Sequence, residues 1–110
     1  TADYLKKQKD CDMVICLSHL GYQYKESPNK ISDMILARES EHIDLIIGGH
    51  THTFLNEPLA VKNKNGKDVL INQVGWGGIN LGRLDFEFER GNKKNLAAAQ
   101  SVTVRKKSSE

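Results

Sequence analysis

Met13-Val14-Ile15-Cys16-Leu17 and Leu45-Ile46-Ile47 are apolar without interruption, the pattern of strands covered on both faces rather than of half-solvated ones. Between them, residues 31–40 set Ile31, Met34 and Ile35 on one helical face and leave Asp33 and Glu39 for the other, which predicts a crossover helix. A strand, a helix and a strand in that order form a unit whose two strands run parallel, joined by a right-handed crossover. Both strands then end at the same edge of the sheet. The loops that follow them, at 18–22 and 48–53, should therefore emerge side by side at the carboxyl edge, where open α/β sheets commonly bind ligands.

The flanking segments read differently. Residues 3–9 can form a short amphipathic helix. Beyond Pro58, residues 60–62, 69–74 and 81–89 read as strands, with a hairpin turn at Asn65-Gly66. Leu84, Phe86 and Phe88 alternate with Asp85, Glu87 and Glu89, so that strand should be buried on one side only. A short last strand is expected near residues 102–104. No internal repeat or low-complexity linker divides the chain, which gives one unit over residues 1–104 and a basic flexible tail over 105–110.

The chain has 110 residues, 38% hydrophobic and 27% charged, enough for one core and not for two. Its formal net charge of +2 lacks the concentrated basic field of a nucleic-acid binder, so no nucleic-acid partner is expected. No apolar run approaches the roughly 20 residues of a membrane span. Cys11 and Cys16 are an odd number of residues apart along an extended approach, which points them to opposite faces and argues against a local disulfide.

Chemistry centres on the histidines. Gly48-Gly49-His50-Thr51-His52-Thr53 directly follows a buried strand. In an extended loop, residues i and i+2 point the same way with Cβ atoms roughly 6–7 Å apart. Imidazole nitrogens bind divalent metals, and two such rings can each hold one ion of a pair spaced about 3.5–4 Å. A bare His-x-His is also compatible with two loop histidines hydrogen-bonded to their neighbours. His19 alters the balance, because the topology brings its loop beside that of His50. His42 lies in a polar stretch at the opposite edge and reads as a surface residue. Cys16, inside an apolar strand, reads as structural. Trp76, in Gly75-Trp76-Gly77-Gly78, is expected to pack partly into the core rather than line a substrate rim.

Ser18-His19-Leu20-Gly21 and Gly49-His50-Thr51-His52, with one helix and one strand between them, resemble two motifs of the calcineurin-like metallophosphoesterases, in the 5′-nucleotidase and 2′,3′-cyclic phosphodiesterase branch. The segments 69–75 and Leu81-Gly82-Arg83-Leu84-Asp85 resemble the strands that follow, so the likeness covers nearly the whole chain. It implies an α/β fold, the carboxyl-terminal half of a four-layer α/β-β/α sandwich in which a strand-helix-strand unit precedes mainly antiparallel strands. It further implies that His19 and His50 bind one divalent metal, Zn or Mn, and His52 the other. In the complete enzyme the pair would activate water for in-line attack on the phosphorus of a nucleotide or other phosphomonoester.

The family's Asp-x-His, Gly-Asp and Asn-His motifs do not occur in this sequence. Three neutral imidazoles cannot offset the four positive charges of two divalent cations, and Asp12 and Asp44 fall at the amino ends of their strands. The expectation is thus half a site, with no catalytic residue assigned and weak metal binding. The chain alone should be inactive, and the amino-terminal half of the domain should be its partner. Unpaired strand edges predict a homodimer, and family habit places the parent outside the cytoplasm. The alternative is a non-catalytic α/β binding or assembly module whose histidines are vestigial or hold a single zinc.

Overall fold

The computed structural model describes residues 1–90 and 93–105. In chain order the elements are α1 (Ala2–Lys7), β1 (Ile15–Leu17), α2 (Asp33–Glu39), β2 (Leu45–Ile47), β3 (Leu59–Lys62), β4 (Asp68–Asn72), β5 (Asn80–Glu89) and β6 (Lys93–Thr103). The first four strands form one sheet in the order β1-β2-β4-β3, and β5 and β6 form a separate antiparallel ribbon. The expected strand-helix-strand unit is present: β1 and β2 are parallel, with Leu17 opposite Ile47. The direction of β4 follows from pairing and not from local pattern. It runs parallel to β2 and antiparallel to β3.

Local chemistry sets the boundaries. Ser32 caps α2, its hydroxyl accepting the Ile35 amide at 3.3 Å, and Asp33 occupies the acidic first turn that the helix dipole favours. The β3–β4 hairpin is closed by Asn63, whose Oδ1 accepts the amides of Asn65 and Lys67, while Gly66 takes the left-handed φ of 74° that the turn requires. The strand expected from residue 13 begins two residues later. The Val14 amide is taken by the Asp44 carboxylate at 2.7 Å rather than by a ladder partner. β6 is much longer than the short last strand expected, because pairing with β5 from Asn80↔Thr103 to Glu89↔Lys93 overrides the low strand preference of Ala97-Ala98-Ala99. Of the expected basic tail, residues 106–110 lie outside the described residues.

The core sits between α2 and one face of the sheet, where Ala37, Ile46, Val61, Val69 and Ile71 cluster against Met34, Leu36 and Ile43. The opposite face departs from expectation. Ile15, Ile47 and above all Leu17, which is 81% exposed, are only partly covered. The β5–β6 ribbon approaches that face, and a groove of about 460 Å³ there is lined by Ile15, Ile47, Leu81, Leu84 and Phe86 among others. The uninterrupted apolar runs of β1 and β2 are thus those of doubly covered strands with one cover partial.

Candidate functional site

Because β1, β2 and β4 are parallel, the segments after all three open at one edge, and these carry His19, His50 with His52, and Trp76. His19 and His50 meet edge to face, their ring centroids 5.0 Å apart at an interplanar angle of 67°. Gly49 permits this approach, since a Cβ there would lie 3.3 Å from His19 Nδ1. His52 faces another neighbour and stacks on the Trp76 indole at 5.9 Å and 26°.

The extended geometry anticipated for His50-Thr51-His52 does not form. His50 and His52 have φ of 70° and 54°, and the Thr51 amide bonds back to the Gly49 carbonyl at 2.9 Å. The reason lies in Thr51. Its hydroxyl is drawn inward to accept the Tyr22 amide at 3.0 Å and to pair with the Thr53 hydroxyl at 2.8 Å, so the histidines on either side are left exposed and diverge. Left-handed φ at non-glycine residues is costly and gathers at functional sites.

His42 stands at the opposite edge, half-buried, with Nε2 2.9 Å from Asp3 Oδ1. A polar cavity of about 450 Å³ at that edge is lined by charges of both signs, including Lys6, Asp12, Glu41 and Asp68, and by none of the three clustered histidines. Cys11 and Cys16 are both free thiols. Burial, with help from the Asp33 charge, pushes the Cys16 thiol up, which suits a packing role. Asp33 is fully buried, and desolvation raises its carboxyl above the ordinary range against the opposing hydrogen bond from Ser18.

Two of the three candidate ligands are therefore adjacent, and the third is close in sequence but turned to Trp76. Among the described residues no group of three or more His, Cys, Asp or Glu side chains converges to hold a metal ion. Two adjacent imidazoles fall short of the donor set that a complete metal site needs. Trp76, expected to pack partly into the core, is instead 57% exposed at the site. The direction of β4 was the missing information. Asp33 and Gln73, buried beneath the loops, carried no motif signal.

Fold and site together define an α/β arrangement with histidines gathered at the carboxyl edge of a mixed sheet. No protein-family profile matches the chain. It is 32% identical over 89 residues to a trifunctional nucleotide phosphoesterase of Bacillus subtilis, covering 81% of this chain and 5% of that protein. A snake venom 5′-nucleotidase of Gloydius brevicauda is 27% identical over 88% of the chain and 17% of its own length. The crystal structure of a 5′-nucleotidase precursor from Thermus thermophilus superposes with a TM-score of 0.75 at 31% identity, over 93% of this chain and 21% of that one. An NAD nucleotidase of Haemophilus influenzae, at 22% identity and a TM-score of 0.76, shares the fold. The chain belongs to the 5′-nucleotidase branch of the metallophosphoesterases. It spans about a fifth or less of the length of these relatives.

Proposed function

We propose that the chain forms part of a two-metal phosphoesterase that hydrolyses nucleotide or related phosphate monoesters. The observation that carries this reading is the 5.0 Å approach of His19 to His50 at the carboxyl edge of parallel strands, in a chain whose relatives include nucleotide phosphoesterases. His19 and His50 would hold one divalent ion, Zn or Mn, and His52 a second. Such ions, when bound, supply Lewis acidity toward the phosphoryl group and an activated water.

The chain's own contribution is placement. The short parallel strands fix where His19 and His50 emerge, and the left-handed backbone at His50 and His52 aims their rings. Carboxylate ligands come from outside this chain, whose partner is the amino-terminal half of a longer catalytic domain. On its own the chain binds metal weakly and does not turn over substrate. Relatives named as a venom protein and as a precursor support a location outside the cytoplasm. The stacking of His52 on Trp76, rather than on His50, favours a second reading in which the histidines are vestigial or hold a single zinc in a non-catalytic module.

The full-length protein decides between the two. Metal analysis and hydrolysis of nucleoside monophosphates should show two bound ions and activity. His19→Ala or His50→Ala should then lower activity by more than the roughly 10–100-fold that loss of an outer-shell partner costs. Unchanged activity in both variants, or a full-length protein holding one zinc and releasing no phosphate, would overturn the enzyme reading.

A further inference from the structure

Two buried polar side chains from different elements lie beneath the histidine loops. Asp33 opens α2, and its Oδ1 accepts the Ser18 hydroxyl. That hydroxyl in turn accepts the Leu20 amide at 3.2 Å, which closes the turn carrying His19. Gln73 follows β4 and is 2% exposed. Its Oε1 accepts the Thr53 amide at 2.6 Å and stands 3.4 Å from the Thr51 hydroxyl, so it holds the residues on both sides of His52. Each carboxyl or amide thus grips one histidine loop by one of its two polar atoms.

The remaining atoms are complementary. Asp33 Oδ2 and Gln73 Nε2 are both buried and have no hydrogen-bond partner among the described residues. Both face Gly48, where an added Cβ would collide with Asp33 Oδ2 and press on Gln73 Nε2. One is an acceptor and the other a donor, and buried polar atoms in native proteins are seldom left unpaired. Gly48, lacking a side chain, leaves room for both atoms beside its Cα.

We propose that Asp33 and Gln73 are positioning residues, a buried brace that couples the His19 turn to the His50–His52 loop across Gly48 and so fixes the mutual placement of the three imidazoles. This rests on reading those histidines as metal ligands, for which orientation by outer partners governs affinity. The brace itself is a property of the metal-free chain. Opposite polarity of the two facing atoms is its one requirement.

An exchange of the two groups tests it. Asp33→Asn sets an amide donor against the Gln73 donor, and Gln73→Glu sets two carboxylates face to face, whereas the Asp33→Asn/Gln73→Glu double variant restores an acceptor facing a donor and keeps the charge. The readout is the imidazole ¹H–¹³C correlation spectrum of the metal-free 110-residue chain, with His42 at the far edge as internal reference. Each single variant should shift the His19, His50 and His52 signals and leave His42 in place, and the double variant should return them toward their original positions. If a single variant unfolds and carries His42 with it, recovery of all four signals in the double variant supports the brace, and no recovery overturns it. Single variants that leave the three signals unmoved, or a double variant shifted by the sum of both, also overturn it. Zn²⁺ titration of the unaltered chain is scored separately, so failure of the metal reading and failure of the brace are distinguishable.

Discussion

The imidazoles of His19 and His50 pack edge to face, with centroids 5.0 Å apart, although one follows β1 and the other follows β2. Their meeting is a consequence of strand register. Leu17 lies opposite Ile47, and the Ser18 amide extends the ladder to the Ile47 carbonyl at 2.9 Å, so the two chains leave the sheet in step. A slip of one residue would turn the side chains on one strand to the other face and separate the rings.

His50 adopts φ of 70°, and its exposed ring packs little against the core. The backbone, more than the side chain, should therefore decide what a substitution does to stability. His50→Gly is expected to unfold at higher urea than His50→Ala, by about 1 kcal/mol, because alanine keeps a Cβ in the left-handed region and glycine does not. Both variants remove the same imidazole, so under the proposed metal-binding role of His50 they should weaken metal binding equally. Equal stability of the two variants in urea titration would show that this φ is not maintained in solution.

The parallel unit, the hairpin at Asn65-Gly66 and the pairing of the His19 and His50 loops were legible in the sequence because each rests on a local signal: an apolar run, a turn dipeptide, or the geometry of a crossover. The shape of the His50-Thr51-His52 loop was not, since it depends on a hydroxyl that finds Tyr22 and Gln73 only after folding. Trp76 was misplaced for a related reason: its loop joins the site only because β4 runs parallel to β2, a long-range choice. The solvated face of β1 was unreadable as well, because an apolar run marks a surface that packs without saying what packs on it.

Gly48 has no space for a side chain, since its added Cβ would run into Asp33 and Gln73, both buried. Gly48→Ala should destabilise the chain by about 1–3 kcal/mol, the usual range for overpacking a filled interior. Gly66→Ala is the comparison, because nothing lies within 4 Å of its added Cβ and only its φ of 74° opposes the change. Its cost should stay near 1 kcal/mol. Thermal melts that rank Gly66→Ala as the more damaging would contradict the buried contact.

Burial raises the Asp33 carboxyl above its ordinary value, so the folded chain holds that proton to higher pH than the unfolded chain does. Below the unfolded value, about 3.9, both states are protonated and the group contributes no pH dependence. As pH rises from there through the raised folded value, the unfolded state gives up its proton first, and stability falls until both states are ionised. Urea unfolding across this acidic window should show that decline, and Asp33→Asn should remove it. A decline of equal size in the variant would assign it to other carboxylates.

Leu17 sits on an edge strand and is 81% exposed, beside the less exposed Ile15 and Ile47. An unpaired edge joined to an apolar face invites pairing with a second copy when nothing else covers it. The isolated chain should therefore associate at high concentration, read as a dimer mass in size-exclusion chromatography with light scattering. Leu17→Lys should return it to the monomer, because a charge on an exposed edge opposes strand addition. As a surface change, it should alter monomer stability by no more than about 0.5 kcal/mol. A clean monomer for the unaltered chain at the highest concentration reached would refute this self-association, and a dimer that survives Leu17→Lys would place the contact elsewhere on the molecule.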